Sequence, residues 1–232
     1  MDLDLTSYFE KYEALLATAD TAFERVKGAH SECVRCDIKC ADCCHALFDL
    51  TLIEALYINY RFNQRLAADK RAEVLEKANR ADREIHRLKR RAYRDLKAGR
   101  SEEDILAQLA LERVRCPLLN EKDLCDLYAY RPVTCRLYGV PTAIGGVGRT
   151  CGLSGFEKGK RYPTVNLDMV FAQLQRLSAE LVRDIKSRHL KLVDMLVPLS
   201  MALLTDYDQC YLGVEQRAEE TRPPRVREGR HR

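Results

Sequence analysis

The feature that most restricts this chain is a dense block of cysteines, in the stretch CVRCDIKCADCCHAL at residues 33–47. Five of the ten cysteines lie within twelve residues, and we call them the first block: Cys33, Cys36, Cys40, Cys43 and Cys44. A packed row of thiols is a poor explanation, because alanine or leucine would fill a helix face without the hazard of oxidation. Adjacent cysteines also rarely have the geometry for a disulfide bond. Ligation of a soft metal by thiolates explains the density best.

Four further cysteines lie in a segment rich in glycine and proline, and we call them the second block: Cys116, Cys125, Cys135 and Cys151. Their separations of 9, 10 and 16 residues are too wide for a zinc ribbon made within this block alone, so they are expected to converge on the first block. Together the two blocks contain more cysteines than the four thiolates that one zinc site or one four-iron cluster needs. The side chains of consecutive residues diverge, so the Cys43–Cys44 pair favours a polynuclear centre or two nearby metals over a single zinc ion. The alternative is that some of the cysteines do not bind metal. Cys210 stands apart and is expected to be a packing residue.

These motifs resemble those of the YkgJ-type cysteine-cluster proteins. The resemblance spans about residues 33–160. It rests on four motifs: Cys36, Cys40, Cys43 and Cys44 in the first block, CPLL at 116–119, CDLYAYRPVTCRLYG at 125–139, and Cys151. It implies a zinc- or iron-chelating domain, and the flagellin lysine N-methylases are similar in their cysteine motif. The usual first motif is nearer C-x2-C-x2-C-C, whereas this chain has C-x3-C-x2-C-C with Cys33 in addition. The choice among first-block ligands therefore stays open.

The predicted cofactor is zinc or iron, including an iron–sulfur cluster. The predicted metal ligands are Cys36, Cys40, Cys43, Cys44, Cys116, Cys125, Cys135 and Cys151, followed by Cys33. His45 is either a nitrogen ligand or a capping histidine, and the surplus of thiols favours the second reading. Arg131 and Arg136 flank Cys135 and either face a negatively charged centre or form ordinary ion pairs. No catalytic residue is identified, because no phosphate loop or nucleophile elbow is recognisable.

Apolar residues recur at spacings of three and four over most of the remaining chain, which predicts a mainly α-helical fold. The predicted helices cover 3–28, 49–66 (with a Thr51–Glu54 capping box), 69–98, 101–113, 166–188 and 190–204. Residues 114–163 lack this periodicity and are predicted to form an irregular cysteine-rich layer held by metal. We expect one domain at 1–213, with a helical hairpin insertion at about 49–113 and a disordered basic tail at 214–232.

Composition limits the partners and the location that we expect. The acidic start and the short apolar segment 190–204 predict neither a signal peptide nor a membrane span, and a cytoplasmic location is expected. Low aromatic content (7%) and a net charge of only +4 argue against a nucleic-acid partner. Residues 61–100 nevertheless hold 14 Lys/Arg and 6 Asp/Glu, so the helix at 69–98 is either a solvated face or a surface for an anion, a nucleic acid or an acidic protein partner.

Three classes of function fit these observations. The first is a metal-binding protein whose centre is structural or serves metal handling. The second is an iron–sulfur-dependent enzyme of methyltransferase-like or redox type, although a recognisable glycine loop for S-adenosylmethionine is lacking. The third is an interaction module that uses the helix at 69–98. The cysteine pattern favours the first class.

Overall fold

The computed structural model describes residues 3–37 and 39–214, and in them the predicted mainly α-helical class is confirmed. Helices and short strands follow one another in this order: α1 (Thr6–Ala29), β1 (Asp49–Leu50), α2 (Leu52–Arg65), α3 (Ala68–Lys97), α4 (Glu102–Leu109), α5 (Val133–Leu137), β2 (Thr142–Ile144), β3 (Val147–Arg149), β4 (Val165–Asn166), α6 (Leu167–Asp184), β5 (Val197–Pro198) and α7 (Leu199–Leu204). Turns of 3-10 helix lie at Asp42–His45, Tyr128–Tyr130 and Leu190–Asp194.

The strands form two small sheets that fasten distant parts of the chain. Strands β1 and β5 pair antiparallel, with Asp49 opposite Pro198, and so join the start of α2 to the start of α7. Strands β2 and β3 form a hairpin, and β4 pairs parallel with β2. The hairpin turn is Gly145–Gly146, with φ angles of 57° and 76°. Glycine adopts this left-handed conformation without steric cost, as tight hairpin turns require.

Helix α2 lies between two hydrophobic cores. Its Ile53 and Tyr57 belong to a core that also contains Tyr12 of α1 and Leu174 of α6. Its other side belongs to a second core, whose members come from α2, α3, α7 and the second-block loop: Ile58, Phe62, Val74, Leu118, Leu127, Ala202 and Leu203. Because α2 is buried on both sides, its first turn fixes the relative position of the elements around it.

The predicted capping box begins α2. The backbone N–H and the hydroxyl of Thr51 donate to the Glu54 carboxylate at 3.1 and 3.0 Å, and the N–H of Val133 at the start of α5 donates to the other oxygen at 3.4 Å. Glu54 is only 2% exposed, and burial raises the pKa of this carboxyl although these hydrogen bonds oppose the shift. One carboxylate therefore caps α2 and holds α5 against it.

Three predicted helices differ from the structure, and one of them, α6, ends at Asp184 and not at 188. The predicted helix at 190–204 is wrong as a single element, because a 3-10 turn, strand β5 and helix α7 share that segment. Pro198 has no N–H and disfavours helical geometry in the residue before it, so α7 begins only after Pro198. Helix α4 begins at its predicted cap, where Ser101 accepts from the N–H of Asp104, but it ends at Leu109 and not at 113.

No helix in the described part of the chain is long and apolar enough to cross a membrane. The predicted basic tail lies outside the described residues, with the exception of Val214.

Glu54→Ala is expected to lower the free energy of unfolding by about 2–4 kcal/mol, because it leaves buried N–H donors at Thr51 and Val133 without an acceptor. Glu54→Gln should cost about half as much, since its single carbonyl oxygen still accepts. Urea unfolding followed by circular dichroism measures both. Glu76→Ala, at an exposed position of α3, is the control and should stay within about 0.5 kcal/mol of the parent. Equal stability of Glu54→Ala and this control would contradict the assignment.

Candidate metal centre

Backbone hydrogen bonds join the two cysteine blocks. After the 3-10 turn that contains Cys43 and Cys44, the carbonyl of Cys44 accepts from the N–H of Cys116 at 2.7 Å, and the carbonyl of His45 accepts from Val114 at 3.0 Å. The two chain segments thus run side by side, and residues 72 positions apart in sequence become neighbours. The predicted convergence of the blocks is seen in this part of the chain.

Local turns place the remaining second-block thiols. The Asn120 side chain accepts from the N–H groups of Lys122 and Leu124, which closes the loop that brings Cys125 opposite Leu119. Asparagine favours such turns because its side-chain oxygen replaces a backbone acceptor. Helix α5 starts directly after Pro132 and carries Cys135 in its first turns. The bond from Val133 to Glu54 therefore also sets the position of Cys135.

Five thiols from both blocks line one cavity of about 50 Å³, which we call the thiol cavity. The thiols are those of Cys43, Cys44, Cys116, Cys125 and Cys135. Most other walls are apolar, with Ile58, Leu118, Leu127 and Leu199 among them. Such a volume exceeds the space that one water molecule needs, and apolar walls limit the access of solvent. The cavity therefore offers soft sulfur donors in largely apolar surroundings.

A smaller cavity of about 10 Å³, the side cavity, is lined by four thiols: Cys36, Cys40, Cys43 and Cys151. Cys43 lines both cavities, so the two spaces adjoin at this residue. The thiol of Cys151 donates to Asp42 at 3.4 Å, and the same carboxylate forms an ion pair with Arg113. All eight preferred ligands thus lie along two adjoining cavities.

A glycine gives Cys36 its place beside the side cavity. A Cβ atom at Gly139 would lie 2.6 Å from the Cβ of Cys36 and 3.1 Å from its sulfur. Real Cβ atoms do not approach other carbon atoms so closely, so the chain needs glycine at this position. The sequence pattern did not single out Gly139, although its position four residues after Cys135 was a usable signal.

Burial and mutual contact raise the pKa values of the thiols. Burial raises the pKa of Cys125 to about 12, and contact with Cys116 raises the pKa of Cys44 to about 12. The hydrogen bond to Cys43 and burial hold the pKa of Cys135 well above its usual range. Neutral thiols are therefore favoured here until a nearby positive charge stabilises the thiolates.

The two arginines beside Cys135 have different surroundings. Arg131 lines the thiol cavity and lies 3.5 Å from the ring centre of Tyr128, and its buried Nε has no hydrogen-bond partner among the described residues. Its positive charge acts to lower the pKa values of Cys36, Cys125 and Cys135. This effect is smaller than the opposing effect of burial, so the three pKa values stay raised. Arg136 instead forms an ion pair with Asp20 and donates to the carbonyls of Arg131 and Ala129. Arg131 faces the thiols, and Arg136 is a structural tie.

Two sequence-derived candidates, Cys33 and His45, line neither cavity, and neither does Cys210. Cys33 is buried in the α1–α6 core, where its carbonyl accepts from Gly155 at 2.8 Å, and it lines neither cavity. The ring of His45 bonds to the carbonyl of Ala41 at 3.0 Å, in agreement with a capping role. Cys210 is exposed in a turn, so its predicted packing role is wrong. Leu212 of the same turn packs into the core that contains Tyr12, and Cys210 is left at the surface.

The donor set fits zinc or iron by its chemistry. Thiolates are soft ligands that these metals favour, and an unpaired guanidinium nitrogen lies beside them where a thiolate centre would concentrate negative charge. Among residues 3–37 and 39–214, no three Cys, His, Asp or Glu side chains already stand in an arrangement that encloses a metal ion. The thiols line the cavities, and ligation would require them to come closer together.

Comparisons with known proteins agree with this donor set. The family model CxxCxxCC, described as "Putative zinc- or iron-chelating domain", matches residues 32–152, just over half of the chain. No curated protein and no solved structure matches the chain significantly. The matched region begins just before Cys33 and ends just after Cys151, so it contains both cysteine blocks. The chain therefore belongs to the CxxCxxCC family of zinc- or iron-chelating domains.

Proposed function

We propose that this protein holds zinc or iron in a composite thiolate centre built from both cysteine blocks. The observation that carries the proposal is the thiol cavity, to which the first block contributes two thiols and the second block three. In this proposal residues 1–213 act as one domain, because the backbone hydrogen bonds from Cys116 to Cys44 and from Val114 to His45 require both blocks to fold together.

The proposed ligands divide between the two cavities. The thiol cavity supplies Cys43, Cys44, Cys116, Cys125 and Cys135, and the side cavity adds Cys36, Cys40 and Cys151. Cys33 is the least favoured of the predicted ligands, because it lines neither cavity. A bound cation would supply the positive charge that turns these thiols into thiolates, and Arg131 would balance the negative charge of the resulting centre.

A structural or metal-handling role is the simplest function of such a centre. The segment between residues 110 and 132 contains no helix longer than one 3-10 turn, yet it carries two of the proposed ligands. Segments with so little regular structure gain stability when a metal joins them, since metal binding adds to the free energy of folding.

An iron–sulfur enzyme of methyltransferase-like or redox type is the second candidate, and an apolar groove favours it. This groove has a volume of about 460 Å³ and adjoins the thiol cavity through four residues that line both: Leu47, Phe48, Ile85 and Pro198. Enzyme ligand sites are typically concave and mostly apolar with few polar groups. A small molecule in the groove would lie next to the proposed metal centre.

Anaerobic purification, metal analysis and an absorption spectrum separate these possibilities. One or two zinc ions per colourless chain support a structural or metal-handling centre and exclude the iron–sulfur enzyme. Several irons per chain with acid-labile sulfide and broad visible absorption support an iron–sulfur centre. A purified, folded chain that retains neither metal, and takes up neither on reconstitution, would refute the proposed function.

Cys43→Ser and Cys135→Ser are each expected to weaken metal binding by more than about tenfold, because each removes a thiolate from the thiol cavity. Both should also lower the melting temperature of the metal-loaded protein. Metal per chain after dialysis against a chelator of known affinity gives the measurement. Cys210→Ser is the matched control and should retain the metal of the parent. Unchanged metal content and melting temperature in both cavity variants would show that the assignment is wrong.

Gly139→Ala is expected to displace Cys36 and to lower the affinity of the side cavity for metal, because the added methyl group overlaps the Cys36 side chain. The steric overlap should cost about 1–3 kcal/mol of stability. Gly28→Ala in α1 is the control, since its added methyl meets nothing within 4 Å, and it should be neutral or stabilising by up to about 1 kcal/mol. Equal metal content and stability in both variants would contradict the close approach.

A further inference from the structure

A line of five arginines runs along helix α3. The residues are Arg80, Arg83, Arg87, Arg90 and Arg94, at steps of three, four, three and four, and we call them the arginine stripe. Steps of three and four place side chains on one face of an α-helix. Fourteen residues of helix separate the first from the last, which corresponds to a length of about 21 Å.

The arginine stripe faces away from the protein. The buried residues of α3 are Val74, Ala78 and Ala81, and α3 packs against α7. At 100° per residue, the arginine stripe lies on the opposite side of the helix from these three residues. All five arginines are exposed. The stripe is therefore not needed to attach α3 to the rest of the fold.

Four other cations of α3 form ion pairs in the described part of the chain, whereas the arginines of the stripe do not. Each of these four cations has a carboxylate partner, and the pairs are Lys70 with Glu73 and Asp126, Lys77 with Glu73 and Glu121, Lys89 with Asp49, and Arg91 with Glu112. Within the described residues, no stripe arginine forms an ion pair. Arg83 and Arg87 use only Nε, each toward a carbonyl four residues earlier. The guanidinium ends remain available to an external anion.

We propose that the arginine stripe binds an acidic helix of a partner protein. A facing helix with carboxylates at the same steps of three and four presents an anion about every 5 Å, which matches the interval of the arginines over the whole stripe. Arginine and carboxylate form bidentate hydrogen-bonded pairs, so a matched register gives specificity as well as attraction. The exposed ring of Tyr93, 61% accessible, lies beside the stripe near Arg90 and Arg94 and offers apolar contact.

The surroundings of the stripe favour a protein partner over a nucleic acid. Exposed Glu76 and Glu84 lie next to Arg80 and would repel a continuous polyanion. A partner helix can place neutral or basic residues opposite these two glutamates, whereas a phosphate backbone cannot.

Binding of the full-length protein, with its metal as isolated, to synthetic helical peptides tests this proposal. The matched peptide carries five glutamates at steps of three, four, three and four, and a permuted peptide has the same composition in scrambled order. Duplex DNA, single-stranded RNA and anionic lipid vesicles serve as further probes. We expect the matched peptide to bind more tightly than the permuted one, with an affinity that falls as salt concentration rises.

A triple variant, Arg83→Gln with Arg87→Gln and Arg90→Gln, should weaken binding of the matched peptide at least about tenfold. Its control has the same change in charge at exposed positions elsewhere: Arg25→Gln, Lys158→Gln and Arg176→Gln. Unchanged helix content and metal content in both variants show that the fold is retained. Equal binding of the two peptides, equal effects of the two variants, or preference for a nucleic acid or vesicle would each overturn the proposal.

Discussion

The buried carboxylate of Glu54 connects three parts of the chain that are far apart in sequence. It caps α2 through Thr51, accepts from Val133 at the start of α5, and interacts with the buried Tyr12 of α1. A carboxylate at 2% exposure is costly unless hydrogen bonds compensate for the lost hydration. Here the compensating hydrogen bonds come from groups on three different elements, which must pack together before they can reach Glu54. The cap of α2, the packing of α1 and α5, and the position of Cys135 therefore depend on one another.

The thiol cavity follows from this arrangement. Helix α5 carries Cys135, the loop closed by Asn120 carries Cys125, and the bond from Cys116 to Cys44 brings the first block against the second. Each connection is a backbone or cap hydrogen bond, which orients a thiol without using its sulfur. The sulfurs contact one another, as those of Cys43 and Cys135 do, and these contacts together with burial raise the pKa values of the thiols.

Local signals predicted much of the helical fold. Apolar periodicity indicated α1, α2, α3 and α6, and the Thr51–Glu54 and Ser101–Asp104 patterns marked the starts of α2 and α4. Apolar periodicity was misleading for residues 190–204, because the apolar residues there belong in turn to a 3-10 turn, a strand and a helix. Periodicity is a local pattern, so it cannot predict that β5 pairs with β1, whose residues lie about 150 positions away in the sequence.

The sequence by itself determined the chemistry of the site, because the number, type and clustering of the thiols indicate a soft-metal ligand set whatever the fold. It also determined the arginine stripe, since side-chain spacing on a helix follows from helical geometry alone. Only the tertiary structure decided which thiols share a cavity, why Cys33 is apart from them, and which arginine faces them. Those outcomes depend on contacts such as Gly139 against Cys36 and Arg136 with Asp20. Such contacts join residues more than 100 positions apart, and no local pattern encodes them.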